Sequence, residues 1–393
     1  MFAFIALPPL SLYVHLPWCV RKCPYCDFNS HEIGNKNTGG TLPEADYIDA
    51  LLRDLTHDLP YVWGRRVETV YFGGGTPSLF SPAGIERLLA GIRALVLLAP
   101  GAEITLEANP GVAEYGRFAD FRAAGINRVS LGIQSFDDQK LRALGRIHGG
   151  KEALAAAAAA AELFDNFNLD LMFGLPGQDE DAAHADLATA LTFNPPHLSL
   201  YQLTLEPNTA FYQQPPVLPG EDAIATMQDA LQARLAEAGL RQYEVSAYAR
   251  AGHASRHNLN YWRFGDYLGI GAGAHGKLTQ HDRIVRLAKA RQPKRYMETA
   301  GTGAAIDEQR ALTRDDAVFE FMLNALRLHE GFEPTLFTDR TGLSLAAAEP
   351  VLQRAQAQGL IEWNARGIRP TAHGRRYLND TIALFLPATP QPA

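Results

Sequence analysis

The sequence predicts an α/β fold in which strands and helices alternate over the first 240 residues, followed by a smaller, mainly helical part. Six short apolar runs are rich in β-branched, leucine or aromatic residues and are bounded by Gly, Pro or Asn, as strands are. Helical stretches separate these runs, which predicts parallel pairing through right-handed crossovers. Near the end of the chain, helices precede a short hairpin, an order that is typical of a winged-helix-like module.

The first part of the chain contains six strand–helix units. The strands are predicted at residues 11–16, 69–72, 103–107, 128–133, 168–173 and 198–203. The helices are predicted at residues 45–59, 83–97, 114–124, 151–164, 179–192 and 222–238. Ser81 and Pro82 match the cap and first residue of the second helix. Six units are too few for an eight-unit barrel, but polar and glycine-rich clusters follow the strands, as they do in barrel active sites.

Beyond residue 240 the pattern becomes irregular. We expect a strand at 242–248, a glycine-rich run at 269–276, a helix at 286–299 and a linker at 300–305. Further helices at 315–328 and 345–359, a hairpin at 361–369 and a helix at 373–386 follow. The predicted domains are a partial barrel at 10–240, a barrel extension at 241–305, a winged-helix-like domain at 306–386 and a disordered tail at 387–393.

Composition and charge exclude several classes of protein. The chain of 393 residues has a formal net charge of -7 and no basic patch, so no nucleic-acid partner is expected. Three closely spaced cysteines argue against a disulfide framework and for a reducing compartment. The apolar N-terminus lacks the basic region and cleavage site of a signal peptide, and no apolar run is long enough to span a bilayer. We expect a cytoplasmic protein, and peripheral membrane contact stays open.

All three cysteines lie in one stretch, YVHLPWCVRKCPYCDFN, that begins in the first predicted strand. Cys19, Cys23 and Cys26 are spaced C-x3-C-x2-C. Closely spaced thiolates suit a soft metal or an iron–sulfur cluster, whereas a closed zinc site needs a fourth ligand. Three cysteines on a four-iron cluster leave one iron free for a small molecule. The alternative is three cysteines that act only as small apolar residues.

Glycines and polar residues stand at the ends of the later strands. The segment YFGGGTP ends the second strand, and its glycines allow a ligand close to the backbone and leave amide donors exposed, although a plain turn fits equally well. A polar residue on an apolar strand costs free energy unless it finds a partner. Four such residues together favour a polar ligand, although each alone also fits a loop hydrogen bond. They are Glu107, Gln134, Arg146 and Asp170.

The order of these motifs resembles the coproporphyrinogen III oxidase-like branch of the radical S-adenosylmethionine (SAM) superfamily. The matching segments are PWCVRKCPYCDF, FGGGTPS, LEANP, GIQS, GRIH and DLMFGLPGQ. The resemblance implies a partial six-unit barrel, a [4Fe-4S] cluster on the three cysteines, SAM at the open iron, and an electron donor. The residues that it assigns to SAM are Tyr13, Tyr25, Gly74, Gly75, Thr76, Glu107, Gln134, Arg146 and Asp170.

Two features distinguish members of this branch. Oxygen-independent coproporphyrinogen III oxidases have a further cysteine two residues after the third, where this chain has Phe28. The segment HNxxYW resembles that of HemW-type haem chaperones, which bind haem and pass it to recipient haemoproteins. Its residues His257, Asn258, Tyr261 and Trp262 are the implied haem-binding set.

Several alternatives stay open at this point. His275 and His253 compete with His257 as ligands of haem iron, and a packed loop would explain the HNxxYW segment equally well. Arg256 is a candidate partner for a haem propionate. The other functions are oxidative decarboxylation of coproporphyrinogen III and a radical SAM reaction on another substrate. Whether SAM is cleaved, and whether the chain forms a homodimer, also stays open.

Overall fold

A computed structural model of the chain describes residues 2–34 and 41–387, and most of its strands join one large sheet. The strands are β1 (Leu10–Leu16), β2 (Trp18–Cys19), β3 (His31–Glu32), β4 (Arg66–Gly74), β5 (Leu97–Ala108), β6 (Arg128–Gln134), β7 (Phe167–Phe173), β8 (His197–Gln202), β9 (Arg241–Glu244), β10 (Ala247–Ala249), β11 (Asp266–Ile270), β12 (His275–Thr279), β13 (Ile284–Lys289), β14 (Ile306–Ala311), β15 (Ile361–Asn364) and β16 (Gly367–Pro370). Among the described residues, twelve strands form the large sheet in the order β14-β13-β12-β11-β1-β4-β5-β6-β7-β8-β10-β9.

The centre of this sheet is parallel and confirms the six predicted strands. They correspond to β1 and β4 to β8, and each of these pairs in parallel with its neighbour in the sheet. A seventh parallel strand, β11, lies on the other side of β1, with Gly269 opposite Tyr13. Because the strands run in one direction, their carboxyl ends meet at one edge, where the loops gather.

Helices connect the strands and follow the sheet. They are α1 (Glu44–Val62), α2 (Pro82–Leu95), α3 (Val112–Tyr115), α4 (Phe118–Ala123), α5 (Asp138–Ala143), α6 (Gly150–Leu163), α7 (Glu180–Thr192), α8 (Ala210–Gln213), α9 (Glu221–Glu237), α10 (Arg256–Trp262), α11 (Pro293–Thr299), α12 (Arg314–Ala325), α13 (Pro334–Thr341), α14 (Glu349–Ala357), α15 (Ala372–Arg376) and α16 (Leu378–Ala383). Ser81 caps α2 as predicted, because its hydroxyl accepts the Gly84 N–H at 3.0 Å. No helix in this described part of the chain is both long and apolar enough to cross a membrane.

Some predicted elements beyond residue 240 are wrong. The helix predicted at 286–299 is instead β13 followed by the short helix α11. The residues of β13 pair with β12 on one side and β14 on the other, and these cross-strand contacts override the helix preference of its Arg, Leu, Ala and Lys residues. Likewise, the strand predicted at 242–248 is the hairpin of β9 and β10, and the helix predicted at 373–386 is divided into α15 and α16.

The C-terminal part has its own core. Phe321, Phe332 and Phe337 form its buried aromatic centre, with ring centroids 5.0 Å apart for the pairs that share Phe321. Phe264, which precedes β11, also belongs to this core, so the sheet and the C-terminal helices are packed together. Helices followed by the hairpin of β15 and β16 agree with the predicted winged-helix-like module. The fold class is therefore confirmed, while the predicted domain boundaries stay predictions and residues 388–393 of the predicted tail lie outside the described residues.

Candidate functional site

The cysteine-containing loop leaves the carboxyl end of β1 and is fastened across the edge of the barrel. Strands β2 and β3 pair in parallel, so the two ends of the loop are held together. Arg21 donates through Nη2 to the Gly145 carbonyl at 2.8 Å, and the Phe211 N–H donates to the Pro24 carbonyl at 2.9 Å. The loop is therefore held in place by segments that follow β6 and β8, at the same edge as the predicted ligand residues.

The three thiols share one cavity and each has a polar neighbour. The Thr76 hydroxyl donates to Cys19 Sγ at 3.6 Å, and Arg146 Nη1 donates to Cys23 Sγ at 3.7 Å. Cys26 Sγ lies 3.8 Å from the Ser30 hydroxyl. Burial, together with the two other thiols, raises the pKa of Cys19 to about 11. A bound metal centre would reverse this effect by stabilising the thiolates.

The three thiols are placed around one cavity. Within the described ranges, no three His, Cys, Asp or Glu side chains converge on one point as the ligands of a single metal ion do. Each cysteine of a [4Fe-4S] cluster binds a different iron. The three half-buried thiols around one cavity therefore fit the cluster that the sequence predicted.

This cavity, here called the thiol cavity, has a volume of about 450 Å³ and also contains most of the predicted SAM residues. Besides the three cysteines, its walls include Tyr25, Gly74, Gly75, Thr76, Glu107, Gln134, Arg146 and Asp170. Tyr13 is the exception, because it lies outside this wall. Its hydroxyl hydrogen-bonds with His15 Nδ1 at 3.0 Å, and both residues line a second cavity that adjoins the thiol cavity.

Alternation along the strands explains why the inside of the barrel is polar. On β6, Val129 and Leu131 are fully buried in the hydrophobic core, whereas Arg128, Ser130 and Gln134 line the thiol cavity. Side chains at every second position point to the same face of a strand. The apolar positions therefore pack against helices and the polar positions face the interior of the barrel.

The glycine segment at the end of β4 fits tightly but does not expose its amides, which corrects one sequence-based expectation. The N–H groups of Gly75 and Thr76 donate to the carbonyls of Leu16 and Trp18, at 2.9 and 2.7 Å. A Cβ atom on Gly75 would lie 2.5 Å from the Trp18 carbonyl oxygen, so only glycine fits this position. The amides of Gly74, Gly75 and Thr76 are therefore already engaged within the protein.

Glu107 is the carboxylate at the boundary of the site. Its oxygens accept the Tyr71 hydroxyl at 2.8 Å and the Gly74 N–H at 3.2 Å. Burial, reinforced by the nearby Asp170 carboxylate, raises the pKa of Glu107 to about 7, although these hydrogen bonds and the charge of Arg128 act in the opposite direction. Its charge is therefore sensitive to pH near neutrality, as is common for residues that bind ligands.

Gln134 ends β6 in an unusual conformation. Its φ angle of 67° lies in the left-handed region, which residues other than glycine rarely adopt, and its side-chain oxygen accepts the Tyr201 hydroxyl at 2.8 Å. Backbone strain of this kind concentrates at functional sites. Next to it, Arg146 donates to the side-chain oxygen of Asn109 and, at 2.8 Å, to the Gly132 carbonyl.

A second cavity, here called the aromatic cavity, adjoins the thiol cavity and has a volume of about 550 Å³. The aromatic residues on its wall are Tyr13, Phe28, Tyr261, Trp262, Phe264 and Tyr267. The two cavities share four wall residues, which are Asp27, Phe28, Gly74 and Glu107. Phe28 is 58% exposed, so its ring stands at this boundary without being packed in the core.

The structure separates the four residues of the HNxxYW segment. Tyr261 and Trp262 line the aromatic cavity, and Asn258 lines the thiol cavity. His257 lines neither and is 1% exposed. Its Nδ1 hydrogen-bonds with the Thr69 hydroxyl at 2.7 Å and its Nε2 with the Tyr261 hydroxyl at 2.9 Å. Both ring nitrogens are therefore engaged, and haem ligation by His257 stays a prediction.

The other histidines and arginines that are candidates for haem contacts lie in different parts of the structure. His275 lines the aromatic cavity and is exposed there, whereas His253 lines neither cavity. Arg256 lines neither cavity. It donates to the Gly101 carbonyl at 2.8 Å and forms an ion pair with Glu68. Arg291 lies exposed on the wall of the aromatic cavity.

Sequence reasoning missed the residues that hold the predicted ones in place. Tyr71 binds Glu107, Tyr201 binds Gln134, and Asn109 binds both Thr76 and Arg146. Tyr71 and Tyr201 occupy inward positions of predicted strands, so alternation along those strands was the available signal.

Comparison with known proteins gives matches along nearly the whole chain. Residues 13–189 match the radical SAM superfamily, and residues 312–377 match the HemN C-terminal domain. The haem chaperone HemW of Escherichia coli (strain K12) is 50% identical over 384 residues, which cover 97% of this chain and 99% of that protein. The mitochondrial radical S-adenosyl methionine domain-containing protein 1 of Mus musculus is 37% identical, covering 96% of this chain and 87% of that protein.

A solved structure agrees with these sequence matches. The coproporphyrinogen III oxidase (HemN) of Escherichia coli, a radical SAM enzyme, superposes with a TM-score of 0.80. The superposition covers 96% of this chain and 90% of the oxidase, at 25% sequence identity. The barrel and the C-terminal domain therefore both have counterparts in that enzyme.

Proposed function

Because this chain belongs to the haem chaperone HemW family within the radical SAM superfamily, we propose that it binds haem and delivers it to recipient haemoproteins. The proposal includes a [4Fe-4S] cluster and SAM as resident groups. One geometric observation carries it: an aromatic cavity shares a wall with the thiol cavity at Phe28. At this position the resembling oxidases have a further cysteine, so the boundary carries an aromatic ring in place of a reactive thiol.

The cluster is assigned to Cys19, Cys23 and Cys26. When bound, it supplies iron with one open coordination position. The protein's own contribution is to donate hydrogen bonds to the sulfurs, from Thr76 to Cys19 and from Arg146 to Cys23. Donors of this kind stabilise thiolate ligands and influence the reduction potential of a cluster.

SAM is assigned to the remaining wall of the thiol cavity. The carbonyl groups of Gly74 and Gly75 suit an ammonium group, while Glu107 and Asp170 offer carboxylates for hydroxyl or cationic groups. Burial raises the pKa of Asp170, and the side chains of Asn168 and Ser130 donate to its two oxygens at 2.8 and 3.2 Å. These donors fix the orientation of the carboxylate before a ligand binds. Tyr13 would contact SAM only at the boundary between the two cavities.

Haem is assigned to the aromatic cavity. A cavity of about 550 Å³ with flat aromatic walls lies within the size range of small-molecule sites, about 300–1,000 Å³. Tyr261 and Trp262 provide apolar area for a macrocycle, and Arg291 provides a cation for a propionate. His275 is the candidate ligand of the haem iron that lies exposed on the cavity wall. Ligation by His257, in contrast, requires the hydrogen bond with Tyr261 to break.

The C-terminal domain contacts this cavity and is therefore placed to respond to haem. Asn324 lines the aromatic cavity. The guanidinium of Arg327 lies 4.2 Å from the centre of the Trp262 ring and forms an ion pair with Glu244 at 3.0 Å. A recipient that binds the C-terminal domain could act on haem through this contact.

The experiment uses the full chain after anaerobic reconstitution of its cluster. Haem or coproporphyrinogen III is added with SAM and a reductant, and an apo-haemoprotein is supplied as the recipient of haem. Absorbance, 5′-deoxyadenosine and porphyrin products are recorded. We expect a haem spectrum and transfer of haem to an apo-haemoprotein, with no protoporphyrinogen formed from coproporphyrinogen III. Formation of protoporphyrinogen would overturn the proposal in favour of the oxidase function.

The proposal also covers the compartment of the protein, its electron donor and its association with membranes or a second copy. We place it in the cytoplasm, because three free thiols require a reducing compartment, and we expect an electron donor for the cluster. Homodimer formation and peripheral membrane contact are tested by light scattering and vesicle sedimentation of the same reconstituted protein.

A further inference from the structure

The side chain of Arg128 occupies an unusual position inside the barrel. It is the first residue of β6, it is 2% exposed, and it lines the thiol cavity together with Ser130 and Asn168. It therefore belongs to the polar interior of the barrel, although no sequence motif singled it out.

Arg128 has no partner among the described residues. Its guanidinium makes no hydrogen bond or ion pair there, and its Nε atom is buried without a hydrogen-bond partner. Thr105, which lies opposite Arg128 in the register of β5 and β6, has a buried hydroxyl that is likewise without a partner. Two neighbouring polar side chains are thus left unsatisfied at one position of the cavity.

The two fully buried lysines among the described residues are both paired. Lys277 forms an ion pair with Asp266 at 2.9 Å, and Lys289 forms one with Asp54 at 2.7 Å. Burial of an unpaired charge costs several kcal/mol in general, so an isolated buried guanidinium requires a compensating group. Each of these buried lysines is neutralised by a carboxylate of the same chain, whereas Arg128 has no such ion pair among the described residues.

The nearby carboxylates of the barrel are already engaged elsewhere. Glu103 accepts the backbone N–H groups at the start of α10, at 3.1 and 3.2 Å. Glu107 accepts donors from Tyr71 and Gly74, and Asp170 accepts donors from its own and the adjacent strand. Burial raises the pKa values of Glu107 and Asp170, and the positive charge of Arg128 partly opposes this rise, so all three groups are close without being paired.

We propose that Arg128 binds a carboxylate group of an organic ligand in the thiol cavity. The inference rests on the proposed function, because two ligands of that function carry carboxylates. One is SAM, through its amino-acid end. The other is haem, through a propionate that would extend from the aromatic cavity past the shared wall into the thiol cavity. A guanidinium binds a carboxylate through two parallel hydrogen bonds.

The test compares each ligand with a counterpart that lacks the free carboxylate. Cluster-reconstituted wild type, Arg128→Gln and Arg128→Lys are titrated with SAM and with 5′-methylthioadenosine. The same proteins are titrated with haem and with haem dimethyl ester. In Arg128→Gln we expect the affinity for one of the two carboxylate ligands to fall by roughly 10- to 100-fold, with part of it retained in Arg128→Lys. The carboxylate-free counterpart should bind all three proteins equally.

The results distinguish SAM from haem as the partner of Arg128, and they distinguish failure of this inference from failure of the proposed function. A loss confined to SAM identifies its amino-acid end as the partner, and a loss confined to haem identifies a propionate. If Arg128→Gln binds all four compounds as wild type does, or loses the carboxylate-free compounds to the same extent, the inference is wrong. If wild type itself binds neither SAM nor haem, the proposed function fails instead.

If Arg128→Gln does not fold, the melting temperature of a second variant still tests the inference. Arg128→Met keeps the length of the side chain and removes the charge. Without ligand, this variant should melt at or above the temperature of wild type, because a buried unpaired charge is lost. A clear decrease in melting temperature would mean that Arg128 is a structural residue, and would overturn the proposal.

Discussion

The two groups of residues that the motifs predict behave differently in the structure. Residues of the SAM set, such as Glu107 and Gln134, present polar groups to an open cavity of about 450 Å³. In the HNxxYW set, His257 is bound by Thr69 and Tyr261, and it lines neither cavity. A motif can therefore mark residues that a ligand contacts, or residues that hold the wall of a site.

The position of helix α10 explains why residues of the HNxxYW segment support the wall of a site. Its first N–H groups donate to Glu103 on β5, and the His257 ring stacks on Tyr71 with ring centroids 4.9 Å apart. A helix N-terminus leaves such N–H groups unsatisfied unless a partner is present. Helix α10 thus attaches to the inside of the barrel through Glu103, and in doing so it places Tyr261 and Trp262 on the aromatic cavity.

The largest expected effect is on the cysteines of the thiol cavity. Cys23→Ala should abolish the cluster, because the remaining two cysteines cannot hold three of its irons. Iron and sulfide analysis after reconstitution, together with the visible absorbance, measures the loss. Val20→Ala, in the same loop and 52% exposed, is the matched control and should reconstitute as wild type does. A full cluster in Cys23→Ala would contradict the assignment.

The second prediction sharpens the contrast between two histidines. His275→Ala should alter the haem spectrum and leave stability within about 0.5 kcal/mol of wild type, because His275 is exposed on the cavity wall. His257→Ala should cost roughly 2–4 kcal/mol in urea unfolding, because Thr69 and Tyr261 lose a buried partner.

The opposite pattern would restore the prediction made from the sequence. If folded His257→Ala loses haem while His275→Ala keeps it, then His257 is the iron ligand and its hydrogen bond with Tyr261 opens on binding. Haem titration followed by absorbance, on samples with matched cluster content, distinguishes the two patterns.

The third prediction uses the protonation of Glu107. Its pKa in the folded protein, about 7, is above the ordinary value of 4.5, so the folded state holds the proton more tightly than the unfolded state does. Below pH 4.5 this preference does not change the free energy of unfolding. Between pH 4.5 and 7 it lowers the free energy of unfolding progressively, and above pH 7 the loss stays constant. Glu107→Gln removes the charge and should raise the melting temperature of the ligand-free protein at pH 8.

The same measurement at lower pH provides the check. The difference between Glu107→Gln and wild type should shrink steadily toward pH 5, and SAM affinity at pH 8 should fall in the variant. Glu86→Gln, on the exposed face of α2, is the control and should show neither effect. A stabilisation that does not change with pH would show that the charge of Glu107 is not its cause.

The sequence was most informative where local pattern and tertiary structure agree. The six central strands are buried and flanked by helices, so each reads as an apolar run between breakers. Strands β11 to β14 escaped prediction because their glycines, lysines and arginines resemble loop or helix. Lys277 and Lys289 are buried in these strands only because Asp266, Asp54 and Asp58 neutralise them across long stretches of chain.

The candidate site was predictable to the same degree. Residues in motifs at strand ends, such as Thr76 and Arg146, could be named because parallel strands bring their carboxyl ends together. Arg128 lies at the other end of β6 and carries no motif, so only the register and the absence of a partner among the described residues reveal it. Which cavity Tyr13 or Tyr261 faces depends on the packing of α10, which no local pattern encodes.

The smallest expected effect concerns the boundary itself. Phe28 touches both cavities and is 58% exposed, so its ring can contact haem without supporting the core. Phe28→Ala should therefore weaken haem binding by roughly 3- to 10-fold, the range expected for one aromatic contact, and leave cluster content unchanged. Phe28→Leu, which keeps apolar volume but not the ring, should lie between the two. If haem binds Phe28→Ala as tightly as wild type, the aromatic cavity does not place haem against the wall it shares with the cluster.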